Sequence, residues 1–333
     1  MAIQSPASQL VTVFGGSGFL GRHVVRALAK RGYRVRVAVR RPDLAGFLQP
    51  LGIVGQVTAV QANLRYPDSV EAAVRGSDAV INLVGILREG GRQSFSGVHA
   101  AGARAVAQAC AAHGVTRLVH LSALGADGES GSLYARSKAE GERTMLAQVP
   151  QAVVLRPSVM FGPEDSFFNR FAALARFLPV LPLAGAETRL QPVFVGDVAE
   201  VVARAVDGTV AGGKVYELGG PETRTLRELV DYVCAETGRR RLVVGLPAPL
   251  ARLQARILEI ADMLTLGLMP DALVMTRDQV ALLQVANVVS AAAAADGRTL
   301  EGLGIAPVAV EAVTPSYLWR FRRTGQFDTA RAG

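Results

Sequence analysis

Lysine is almost missing from this chain. Of 36 basic residues only Lys30, Lys138 and Lys214 are lysine; the other 33 are arginine, spread along the sequence rather than blocked. The formal charge of +8 therefore reads as a habit of composition. No helix-turn-helix or RNA-binding signature accompanies it, so no nucleic-acid partner is expected, while an anionic membrane surface or acidic partner stays open. Cysteine is scarce as well. Cys110 and Cys234 stand far apart and form no Cys-x-x-Cys, which argues against a disulfide scaffold or zinc ribbon and for a reducing compartment. His23, His99, His113 and His120 have no metal-ligand spacing, and no metal site is expected. A spanning helix needs about 20 apolar residues. The longest candidate, Val280 to Ala295, is shorter and holds Gln284, Asn287 and Ser290. The opening MAIQSPASQL has neither the basic nor the apolar segment of a signal peptide, so a cytoplasmic protein is expected.

Short β-branched runs alternate with helical patterns. LVTVF (10–14), RVRVAV (34–39), QVTAV (56–60), AVINLVG (79–85), RLVHLS (117–122), AVVLRPS (152–158) and VYELGG (215–220) read as strands. Phe19 to Lys30 and His99 to His113 read as helices between them. Such an order predicts an α/β fold with a doubly wound parallel sheet, the Rossmann arrangement. After Gly220 the texture changes. Thr225-Leu-Arg-Glu228 fits a capping box opening a helix to Glu236. Residues 246–270 then form an apolar helix with one polar stripe, Arg252, Arg256, Glu259 and Asp262, whose apolar surface is expected to pack against the sheet domain rather than serve as a membrane or partner face. A dinucleotide-binding domain over 1–160, with 191–220 returning to the sheet, and a smaller, mostly helical C-terminal part from 161–190 and 221–333 are expected.

Gly15-x-x-Gly18-x-x-Gly21 sits between the first strand and its helix. That is the dinucleotide fingerprint in its proper context: glycines let the backbone approach a pyrophosphate, which the helix N-terminus attracts. Ser17, Phe19 and Leu20 share the turn. An NAD site usually carries an acidic residue about 20 positions on. Here Val39 is followed by Arg40 and Arg41, and Arg22 lies just past the third glycine. These cations suit the 2′-phosphate of NADP(H) better than the bare ribose of NAD(H). Asn63 and Leu64, after the third strand, stand where such folds contact adenine, and Leu83, Val84 and Gly85 would pass beneath the ribose.

Tyr134-x-x-x-Lys138 follows Ser122. On a helix the two side chains share a face, and an ammonium beside a phenol lowers its pKa for acid–base work. Ser122 could hold the same substrate oxygen. With six tyrosines and three lysines in 333 residues, a chance match is rare, and arginine could not take the lysine's place.

The glycine loop, Ser122, the Tyr134/Lys138 pair, RPSVMFGPED (156–165) and QPVFVGDVAE (191–200) resemble the atypical extended short-chain dehydrogenase/reductase superfamily. FGPEDSFFNRFAAL and PSYLWRFRRTGQF narrow the resemblance to the NADPH-binding accessory subunit of respiratory complex I and its alphaproteobacterial relatives. The resemblance implies a bound NADPH of structural purpose, with Pro157 and Ser158 near the nicotinamide. It also implies complex I subunits as partners at the junction of quinone site and membrane, and a peripheral place on the cytoplasmic face of the inner membrane. Its other branch implies a reductase or epimerase, linked to ubiquinone biosynthesis. Ser122 precedes Tyr134 by only 12 residues, a shorter loop than sugar-nucleotide enzymes of the superfamily leave. At the C-terminus Tyr317, Trp319 and Phe321 alternate with Arg320, Arg322 and Arg323. That pattern suits either a membrane or partner contact or a strap whose aromatics cover the core.

Overall fold

A parallel sheet with helices on both faces needs strands rich in apolar residues, and the first half of the chain supplies six. In the computed structural model, which describes residues 6–265, 275–323 and 325, these are β1 (Leu10–Phe14), β2 (Arg34–Val39), β3 (Val57–Gln61), β4 (Ala79–Asn82), β5 (Arg117–Leu121) and β6 (Val153–Pro157). With the strand Lys214–Leu218 they form one seven-stranded sheet, in the order Lys214–Leu218, β6, β5, β4, β1, β2, β3. Every neighbouring pair is parallel. The order reverses between β1 and β4, the switch point where doubly wound sheets bind ligands at their carboxyl ends.

Helices cover both faces. α1 (Phe19–Lys30) buries Val24, Val25 and Leu28 and packs beside the helix Val195–Asp207, to which Arg31 is tied through Glu200 (2.7 Å) and Asp207 (2.9 Å). On the other face α2 (Pro67–Val74), α3 (Gly102–Ala112) and α4 (Leu133–Gln148) enclose Val70, Val74, Val106, Cys110, Leu118 and Met145. Burial pushes the Cys110 thiol up to about 12, so it is an inert core residue. A π-helical turn, Ser96–Ala101, leads into α3, where the sequence predicts α-helix from His99.

The chain divides into two compact units. The first holds Met1–Pro157, Val195–Leu218 and Ser290–Ala306; the second holds Ser158–Phe194, Gly219–Val289 and Pro307–Gly333. Ser290–Ala306 is bound to the edge strand by Glu217 N–H to Arg298 O (2.9 Å) and by Arg298 Nη1 to Val215 O (2.7 Å).

The second unit has its own core, with Phe161, Phe168, Leu181, Leu229 and Val230 at its centre. Thr225 and Glu228 form the expected capping box on the helix Leu226–Glu236. The apolar helix runs Ala248–Leu264; residues 266–270 of the expected span lie outside the described residues. One stripe of it, Leu250, Leu253, Ile257 and Ile260, is exposed, so packing does not account for the whole of its apolar surface.

At the C-terminal segment the structure favours the strap for three of the six residues. Tyr317 is 5% exposed and donates its hydroxyl to buried Asp165 at 2.6 Å. Phe321 packs against the same core, and Arg322 pairs with Glu236. These three serve the fold as a strap rather than a contact surface. Trp319, Arg320 and Arg323 remain outside, with Arg320 bonded to Asn169 (2.6 Å). Burial raises the Asp165 carboxyl, while Tyr317 and the amides of Asn169 and Gly162 oppose that rise. Tyr317→Phe therefore leaves a buried acceptor short of a donor. It is expected to lower stability by about 1–3 kcal/mol, read from the urea midpoint; an unchanged midpoint would refute the anchoring role.

Candidate functional site

The turn after β1 is built of backbone. Gly15 sits at φ +78°, a left-handed conformation that side chains resist. A Cβ on Gly21 would stand 2.3 Å from Gly15 O and 2.6 Å from Gly16 Cα, so α1 can pack this closely against the turn only without a side chain there. Gly18 heads α1 without a side-chain cap, and no acidic residue occupies the first turn. The N-terminal amides and the helix dipole are thus left to attract an anion. Leu20 is buried, Phe19 and Ser17 are half-buried, and Arg22 folds back over the turn, donating to Gly18 O (3.3 Å) and Ser17 O (3.4 Å).

Arg40 and Arg41 are exposed beyond the end of β2. They differ in one respect. Arg41 is forked onto Asp43, with Nη2 to Oδ2 at 2.7 Å, whereas Arg40 has no ion pair or hydrogen bond among the described residues. Asn63 spends its side chain on the turn after β3, accepting from Arg65 N–H (3.2 Å). Leu64 is half-buried against the α2–α3 core. Leu83 N–H bonds Phe14 O (3.0 Å) and Val84 N–H bonds Asn82 Oδ1 (3.2 Å), which lays the segment after β4 beside the glycine turn. Gly85 faces Lys138: a Cβ there would lie 3.3 Å from Nζ.

Lys138 is 4% exposed and gives one of its three donors to Leu121 O (3.1 Å). Burial lowers it to about 8, against the opposing charge of Glu142. Glu142 itself is clamped by Arg156 through two bonds of 2.8 and 2.7 Å. The Tyr134 ring centre lies 5.9 Å from Nζ. Ser122 Oγ is buried with no partner among the described residues. Pro157 closes β6 and accepts from Leu124 N–H (3.0 Å). Ser158 belongs to the second unit, where its hydroxyl donates to Asn287 Oδ1 (2.7 Å).

Two histidines that the sequence reading left unassigned complete the cluster. His99 Nε2 accepts from Ile86 N–H (3.0 Å), so Nδ1 carries the proton and donates to Ser137 Oγ (2.9 Å). Ser137 then donates to Tyr134 O (2.8 Å), and the His99 ring stands edge-on to Tyr134 at 5.3 Å. His120 Nδ1 meets Asn82 Nδ2 (3.3 Å), which leaves its buried Nε2 without a partner among the described residues. Each pair is 38 residues apart, beyond any local periodicity. For His120 the available signal was a polar residue inside the buried LVHL stretch of β5, since a strand buried on both faces rarely carries one.

A sequence profile of the NAD dependent epimerase/dehydratase family matches residues 11–219, more than half of the chain. The chain belongs to this family. Its relatives extend the similarity to both units. It is 35% identical over 320 residues, 96% of this chain and 82% of the relative, to NADH dehydrogenase [ubiquinone] 1 alpha subcomplex subunit 9, mitochondrial, of Rattus norvegicus. Ceramide reductase of Caulobacter vibrioides is 36% identical over 193 residues, 58% of this chain and 59% of that protein. The same epimerase/dehydratase fold is seen in the NADPH complex of an Escherichia coli NADPH-dependent quinone oxidoreductase, with a TM-score of 0.69 at 21% identity, over 93% of this chain and 99% of that one. Among the described residues no acidic, histidine or cysteine cluster could hold a metal, and no helix is long and apolar enough to cross a membrane.

In this epimerase/dehydratase member, burial first and the Lys138 charge second hold His99 and His120 neutral, each lowered from 6.5 to about 3. Between those values the unfolded chain binds protons that the folded one does not. Stability is full above pH 6.5 and falls as pH drops toward 3, by up to about 1.4 kcal/mol per pH unit for each histidine. His120→Gln should flatten that acid slope in pH-resolved urea titrations. An equal slope in both proteins would contradict the buried neutral ring.

Proposed function

We propose that the chain is an NADP(H)-binding accessory or assembly protein of NADH:quinone oxidoreductase, in which the nucleotide braces the fold. The observation that carries this reading is the 35% identity to a subunit named for that complex, over 96% of this chain. The nucleotide fits what the residues offer: a glycine turn with no room for side chains, an uncapped helix start, and buried donors on Lys138 and Ser122 that lack protein partners for some or all of their hydrogens. Gly15, Gly18 and Gly21 would hold the pyrophosphate and Arg40 the 2′-phosphate. Lys138 and Ser122 would meet hydroxyl groups at the carboxyl end of β5.

A second reading, a reductase or epimerase, is favoured by one observation. Lys138, lowered to about 8, lies beside Tyr134 on one face of α4. There Tyr134 would pass a proton to or from a substrate oxygen, Lys138 would steady the phenolate, and Ser122 would orient the oxygen. The nicotinamide, when bound, exchanges a hydride with the substrate carbon.

Native electrophoresis of gently solubilised membranes, stained for NADH dehydrogenase activity, distinguishes the two. Co-migration of this chain with the active band supports the accessory reading; a free or small species favours the enzyme. A Tyr134→Phe strain should keep normal respiration and quinone levels if the nucleotide is structural, and lose function if turnover matters. Arg40→Ala should weaken NADPH binding by about ten- to a hundredfold and barely change NADH binding. Arg41→Ala should do less, because Asp43 already occupies that guanidinium. Equal losses for both nucleotides would remove the NADP(H) preference.

A further inference from the structure

We propose that the helix Ala248–Leu264 lies on an anionic lipid surface, through an outward apolar stripe and the two arginines on its flank. Leu250, Leu253, Ile257 and Ile260 are 54, 55, 57 and 50% exposed. Their spacing of three and four residues sets them in one line along the helix. The inward face carries the small Ala251 and Ala255, packed against Ala184 and Val280. Size is thus inverted relative to an ordinary amphipathic helix: the smallest apolar groups are covered and the largest face out. Packing within the unit cannot be what selects leucine and isoleucine at these positions.

The flank names the occupant. Arg252 and Arg256 are exposed and have no ion pair or hydrogen bond among the described residues. Glu259, the acidic residue of the same turns, is taken by Arg277 at 2.8 Å. Among the described residues, the side chains beside the stripe therefore present uncompensated cations. Arginine stems can lie along apolar surface while the guanidinium reaches phosphate. A helix of 17 residues, apolar on one side and cationic beside it, lies in the headgroup plane rather than spanning. A second copy of the chain fits less well. The spacing matches a coiled-coil seam, but the seam is bordered by Gln254 and Arg256, and no acidic side chain there would oppose Arg256 in either orientation.

The inference does not depend on the accessory reading, because it needs only this chain and lipid. Full-length protein would be sedimented with vesicles of phosphatidylcholine, alone or mixed with phosphatidylglycerol. Association with the anionic vesicles, weakened by salt, is the expected result. Leu253→Ser/Ile257→Ser and Arg252→Gln/Arg256→Gln should each reduce partitioning by about tenfold or more, with thermal midpoint and NADPH affinity unchanged. Failure of the unmodified protein to bind anionic vesicles would overturn the proposal, as would a serine variant that binds equally well. A concentration-dependent dimer abolished by the same serines would reassign the stripe to self-association.

Discussion

A single buried ammonium organises the centre of the first unit. Lys138 is one of three lysines in an arginine-rich chain, and it is almost wholly covered. Arginine's wide, permanently charged fork could not sit where one carbonyl, Leu121 O, is the protein acceptor. Taking that charge out of water lowers its pKa, and its presence helps keep His99 and His120 unprotonated. The neutral rings then set the local hydrogen bonds. His99 fixes the segment after β4 through Ile86 and the first turn of α4 through Ser137. Gly85 stays open because any side chain there would press on the lysine. The hydrogens left over on Lys138, and the Ser122 hydroxyl, unpartnered among the described residues, give the carboxyl end of the sheet its demand for an oxygen-bearing ligand.

That demand explains why the two functional readings share their residues. A nucleotide held for stability and a nucleotide used for turnover both need the glycine turn, the lysine and the serine. Stabilisation follows mass action, about 2.7 kcal/mol when free ligand is a hundredfold above its Kd. Such a gain would maintain the same side chains in a protein without a substrate. Retention of Tyr134 and Lys138 thus fits both roles, and the accessory reading leans instead on similarity running through both compact units.

Much of the fold was legible because its strands are buried on both faces. Runs such as AVIN, buried at every position, leave little choice but a parallel sheet, and α1 has in the structure the bounds its pattern predicts, Phe19–Lys30. The Thr225 capping box was equally local and equally readable. The failures involve partners distant in sequence. Alternating aromatic and basic residues look alike in a surface anchor and in a strap; only Asp165, 152 residues away, turns Tyr317 inward. The helix Ala248–Leu264 shows the same limit, since periodicity reveals an apolar face but not what covers it. At the site the glycines, Tyr134 and Lys138 could be picked out by spacing. The histidines could not, because they meet Asn82 and Ser137 only once β4, β5 and α4 are assembled.

The most direct test of a structural nucleotide is to measure what the purified chain already holds. Full-length protein taken through gel filtration without added cofactor would be denatured, and the released nucleotide identified and quantified by chromatography. The account predicts stoichiometric NADP(H), with a thermal midpoint that falls when it is stripped and recovers when NADPH is returned. Nucleotide-free protein whose midpoint is unmoved by NADPH would contradict it.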